Sequence, residues 1–122
     1  MNKVLNKAGE FDFDFKNDIF FFKVKDREYS YSIEMNNMVI DFDEENFITG
    51  LQIFNASEFF DIDRKLLQKV KGFKMQAKVE NNIIKIKLAF NMIFRNKEMN
   101  YNPIIFERAE EKIPNSEILC TV

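Results

Sequence analysis

Residues 38–57, MVIDFDEENFITGLQIFNAS, decide the fold. From Met38 to Asp43 the residues Met38, Ile40 and Phe42 alternate with Val39, Asp41 and Asp43. One face is apolar and the other ends in carboxylates, the pattern of a half-buried strand. After the turn Glu44-Glu45-Asn46, the run Phe47–Phe54 is apolar on both faces, with Leu51 and Ile53 on one and Ile48 and Phe54 on the other. A strand of that kind belongs in the middle of a sheet. Asn46 stands where a tight loop needs a left-handed residue, and Asn is the best substitute for Gly there. Gly50 predicts a bulge or a close backbone approach, and Ser57 in Asn55-Ala56-Ser57 predicts a helix cap.

Outward from this hairpin, strand patterning continues in both directions. Met1 to Glu10 is polar and reads as a tail or a short strand tied loosely to the body. Phe11, Phe13 and Phe15 alternate with Asp12, Asp14 and Lys16. Phe20, Phe22 and Val24 share the next face, then Tyr29, Tyr31, Ile33 and Met35, with turns at Lys16-Asn17-Asp18, Asp26-Arg27 and Asn36-Asn37. The first half therefore reads as an antiparallel meander. From Asp61 to Lys71 the period changes: Ile62, Leu66, Leu67 and Val70 recur at helical spacing, with Asp61 and Asp63 at the start and Gly72 as a stop. Strands then resume over Phe73–Val79 and in a long run from Ile84 to Phe94, followed by Met99–Arg108, where Pro103 requires an edge or a bulge. Glu117–Val122 offers a last strand.

The segment Val39-Ile40-Asp41-Phe42-Asp43, a turn, Ile48-Thr49-Gly50-Leu51-Gln52-Ile53 and Asn55-Ala56-Ser57, preceded by Phe13-Asp14 and Asp18-Ile19-Phe20-Phe21-Phe22, resembles the small proteins catalogued as domain of unknown function 2283. The resemblance spans residues 11–60 and leaves the second half unmatched; Asn46 stands where that family usually has Gly. It brings no established chemistry. It implies an antitoxin-like or partner-binding role.

The reading is one domain over residues 1–122: a family-like β-meander at 11–60, a helix at 61–72 and a second set of strands at 73–122. The class is α+β, mainly β, with antiparallel strands in one curved sheet or two packed layers and one helix near 61–71. With 46% hydrophobic and 31% charged residues the chain is globular. Fifteen Phe, three Gly and two Pro imply a phenylalanine core and turns made of Asn and Asp. The single Cys120 cannot form an internal disulfide, and no apolar run suits a membrane span, so a cytoplasmic protein without membrane contact is expected.

Charge divides the chain. Residues 1–63 carry a net −8 and residues 64–122 a net +6. Within Arg64–Lys97 ten basic residues face the lone Glu80. Lys74, Lys78, Lys85 and Lys87 alternate with core positions and should share an outer sheet face. They are either a solvated surface or a site for an acidic partner or nucleic-acid phosphates. No aromatic residue interleaves with them in sequence to offer a stacking platform. The chain has no His, no glycine-rich phosphate loop and no nucleophile motif. Asp41 and Asp43 are the one cation candidate, although the spacing fails as a calcium loop, with Asn46 and Gln52 where a glycine and a glutamate belong. No cofactor is expected. The functional expectation is a non-enzymatic interaction module that binds a protein partner or itself; the alternative is polyanion binding through residues 64–97.

Overall fold

The computed structural model describes residues 4–122. Its elements run β1 (Val4–Asp14), β2 (Ile19–Val24), β3 (Tyr31–Met35), β4 (Met38–Phe42), β5 (Ile48–Phe54), α1 (Ala56–Phe60), α2 (Arg64–Leu67), β6 (Val70–Glu80), β7 (Ile83–Phe94), β8 (Lys97–Tyr101), β9 (Ile104–Arg108) and β10 (Ser116–Thr121). The architecture is the mainly-β arrangement that the alternation implies. The ladder order is β3-β4-β5-β2-β1-β10-β6-β7-β8, with β9 also on β7.

β1 joins the two halves. Val4–Ala8 pair in parallel with β10, and from Gly9 onward the same strand pairs antiparallel with β2. The supposed loose tail, over the part that is described, is thus a strand shared by the two layers, each of its halves paired on one side; Met1 to Lys3 lie outside the described residues. Gly9 marks the change of partner. A Cβ there would lie 2.7 Å from the Phe22 ring and 2.8 Å from Cys120 Sγ, so only a residue without a side chain lets the two halves close.

The ring contacts show that the ladder folds over at β1. Phe22 and Phe73 are 4.9 Å apart and Phe20 and Phe90 5.3 Å, although β1 and β10 separate β2 from β6. Strands sit about 4.8 Å apart, so a flat sheet would hold β2 and β6 about 14 Å apart. The choice between one curved sheet and two layers resolves as a single ladder bent into two layers. Phe20, Phe73 and Phe90, with Ile40, Leu51, Ile84 and their neighbours, fill the space between them.

Within the first layer the meander holds for β3-β4-β5, but β2 pairs with β5 rather than β3. This is a Greek-key departure. It gives β5, apolar on both faces, a strand on each side. Thr49 is the extra residue of a bulge beside Asp41-Phe42, and a Cβ on Gly50 would come within 2.8 Å of Asp41 Oδ2. In the second layer β8 and β9 lie end to end along β7, and the break falls at Asn102-Pro103. Across the open side, Asn36 Nδ2 donates to Glu107 Oε1 at 2.7 Å, so the β3–β4 turn reaches β9.

The left-handed turn residues are Asp18, Asp26, Asn36, Asn46, Asn55, Asp61, Asn81, Asn82, Arg95 and Asn96, and none is glycine. The helix expected at 61–71 needs correction: α1 precedes it, α2 covers only Arg64–Leu67, and Val70 already begins β6. Asp61 at φ 54 ends the five residues of α1, and the extended Asp63 starts the four residues of α2. The segment's apolar spacing still buries Ile62 and Leu67. Nor does Ser57 cap α1. Asn55 holds the N-cap position without a side-chain bond, and Asp18, from the β1–β2 turn, accepts the Ser57 N–H at 3.0 Å and the Ser57 hydroxyl at 2.6 Å.

Candidate functional site

Side chains alternate across each layer, so each has an outer face directed away from the shared core. On the second layer β6 and β7 place Lys74, Lys78, Lys85 and Lys87 outward, between core residues such as Met75, Ala77, Ile84 and Ile86. Lys78 and Lys85 are directly opposite one another. Like charges in that position repel, and Glu80 offsets this with a 3.2 Å ion pair to Lys78. Gln76 donates to Glu117 at 2.9 Å. Arg108, opposite Ile83, extends the basic face onto β9.

The same face carries apolar groups that the lysine spacing did not reveal. Ile104 and Phe106 on β9 are 59% and 61% exposed. They stand opposite Lys87 and Lys85, and the Lys85 ammonium lies 5.7 Å from the Phe106 ring centre. Leu119 on β10 and Ile93 on β7 add smaller exposed areas. The aromatic residue missing from the lysine segment itself is therefore supplied by the neighbouring strand. Shallow grooves of about 350 Å³ and 540 Å³ run beside Phe106 and Ile104. This is a mixed cationic and apolar surface.

The outer face of the first layer has the opposite character. Register places Glu10 and Asp12 of β1, Lys23 of β2 and Asp41 of β4 in neighbouring rows. A groove of about 620 Å³ opens among Glu10, Asp12, Phe21, Asp41 and the segment Arg27–Tyr29. The charge division along the chain has become a division between two opposite faces.

Asp41 and Asp43 do not converge. Asp41 accepts from the Ser32 hydroxyl at 2.6 Å on the outer face. Asp43 is buried, and its Oδ1 accepts the N–H groups of Glu45 at 2.8 Å and Phe47 at 3.0 Å. Its Oδ2 lies 2.9 Å from Arg27 Nε, an ion contact rather than an aligned hydrogen bond. Arg27 also meets Glu45 at 3.2 Å and covers the Phe47 ring. The pair thus holds the β2–β3 connection onto the β4–β5 turn, and among the described residues no group of three or more His, Cys, Asp or Glu is placed to hold a metal ion.

Two titratable groups respond to their surroundings. Burial pushes the Cys120 thiol up, away from the reactive thiolate. Burial, with the Asp43 charge second, raises Tyr31 above the ordinary tyrosine value; its ring stacks 5.0 Å from Phe42 and its hydroxyl donates to Asn46 at 2.7 Å. Tyr31 is therefore part of the packing, while Tyr29 stays exposed at the groove. Among the described residues no helix is long and apolar enough to cross a membrane.

A two-layer β-fold with oppositely charged faces is the class that these observations define. The family model "Protein of unknown function (DUF2283)" matches residues 10–57, the stretch that builds the first layer and enters α1. The chain is 28% identical over 88 residues, 72% of each chain, to a Methanosarcina mazei protein named "Putative hypoxanthine phosphoribosyltransferase". It is 27% identical over 89 residues to an uncharacterized Methanocaldococcus jannaschii protein, covering 72% of this chain and 77% of that one. No solved structure matches it significantly.

Proposed function

We propose that this protein is an interaction module whose contact surface is the outer face of the second layer. The observation that carries this is the exposure of Ile104 and Phe106, 59% and 61%, side by side among lysines. Large apolar groups clustered on a sheet face and framed by charge have the make-up of a protein contact surface: an apolar centre with a polar rim. A face contact suits the geometry better than strand addition at the border. The β8–β9 border is broken at Pro103, its pieces are five residues each, and the β3–β4 turn already reaches it at Glu107; such features blunt an edge. The activity in the Methanosarcina relative's name finds no supporting observation among the described residues.

The test is a double substitution, Ile104→Ser with Phe106→Ser, at two exposed positions. Gel filtration and tagged capture should show an oligomer or a bound protein with the unsubstituted chain and its loss in the variant. A chain that captures nothing and does not self-associate, or a variant that behaves identically, would sink the proposal. One observation favours a second reading: Phe106 beside Lys85 supplies a stacking surface next to cationic groups, the combination that binds nucleic-acid strands. Titration with RNA and duplex DNA at two salt concentrations decides it, because phosphate binding must weaken steeply with salt.

A further inference from the structure

We propose that the partner of the basic face is the acidic face of a second copy of this chain, so that copies associate head to tail. The inference rests on the interaction-module reading and names the partner. The basic face projects Phe106 as an exposed aromatic knob with Lys85 beside it and Lys87 on the same strand. The acidic face presents a groove of about 620 Å³ lined by the carboxylates Glu10, Asp12, Glu28 and Asp41 against the cations Lys23 and Arg27, with Phe21 and Tyr29 as aromatic walls; Arg27 is already paired with Asp43 and Glu45. An aromatic ring with an ammonium group beside it and an aromatic groove with an excess of carboxylates complement each other in shape and in charge.

Symmetry points the same way. Pairing two basic faces would bring Lys78, Lys85 and Lys87 of both copies together, and pairing two acidic faces would do so with Glu10, Asp12 and Asp41. Like-charge contact of that kind opposes an isologous dimer. The two faces lie on opposite sides of the shared core, so one copy can use both at once, each towards a different neighbour. The contact is heterologous, and it grows with concentration. Attraction between exposed charges is screened over about 10 Å at 0.1 M salt and reaches about 30 Å at 0.01 M. Assembly is therefore strongest at low salt.

The experiment is sedimentation of the full chain at low and high salt over a concentration series, with two neutralising variants. The first carries Lys85→Gln, Lys87→Gln and Phe106→Ser; the second carries Glu10→Gln and Asp12→Asn. Unchanged melting temperatures establish that both are folded. The unsubstituted chain should at least double its average mass as concentration rises at low salt and return to the monomer at high salt. Each variant alone should stay monomeric. Their equimolar mixture should form a one-to-one dimer that grows no further, because each contributes one intact face. A discrete dimer that both variants still form overturns the head-to-tail contact. A monomer at every concentration overturns it too: if a tagged chain then still captures a protein in a Phe106-dependent manner, the wider reading stands, and if it captures none, both fall.

Discussion

Gly9 shows how one missing side chain governs the assembly of the whole ladder. Its neighbours, Phe22 from the first layer and Cys120 from the second, leave no room for a methyl group. Both are core residues, and overpacking such a site typically costs about 1–3 kcal/mol. Gly9→Ala should therefore lower stability by about 2 kcal/mol, as read from denaturant midpoints, and Cys120→Ala in the same background should recover part of the loss by removing the sulfur. A Gly9→Ala chain as stable as the unsubstituted one would contradict the close approach. In sequence this glycine sits inside a polar run, and the alternation around it gives no sign that the strand changes partner there. Gly50 was more legible. Its place inside an apolar strand announces an anomaly, and both a bulge at Thr49 and an approach by Asp41 are present. The Arg27–Asp43 contact could not be read at all, because the two residues come from different turns and only the folded connection brings them together.

Strands and turns are legible in the sequence because their signal is local. A period of two and an Asn or Asp at the break locate most hairpins. Arg95 is the exception among the left-handed residues, at φ 53 in the β7–β8 turn with Asn96 at φ 62. An ordinary side chain in that region costs about 1–2 kcal/mol. Arg95→Gly should raise stability by about 1 kcal/mol after the loss of its 5.2 Å contact with the Phe94 ring, and a fall in melting temperature would show that the contact outweighs the strain. The break in the helical segment is hidden for a related reason. Ile62, Leu66, Leu67 and Val70 record which side of the segment is buried, but that spacing does not report the extended Asp63 that parts Ile62 from α2, nor the entry of Val70 into β6. Short helices gain little from propagation, so the bond from Asp18 to Ser57, 39 positions apart, holds the start of α1 where local capping does not.

At the scale of the molecule, the division of charge was legible as two halves of the chain. That the halves become opposite faces was not, since it depends on the ladder folding over at β1. The lysine row Lys74, Lys78, Lys85 and Lys87 faces outward as alternation requires. Phe106 joins it only through the register of β9 on β7, and no spacing along the sequence reports that. The segment 10–57 includes the apolar inner face of one layer, Phe20, Phe22, Ile40 and Leu51, whose cover in this chain is Phe73, Phe90 and the rest of the second layer. Produced alone, it should fail to persist as a folded monomer; circular dichroism together with gel filtration checks this, and a stable, cooperatively melting monomer would show that the second layer is dispensable.

The parallel pairing of Val4–Ala8 with Glu117–Thr121 also sets a timetable. Hairpins such as β3–β4 and β6–β7 join neighbours and form quickly, whereas β10 must find a slot between β1 and β6 after more than a hundred residues have left the ribosome. Contacts that distant in sequence slow folding. Until β10 inserts, β1 and β6 each leave a backbone edge unpaired, and the nascent chain is most vulnerable to aggregation during that wait.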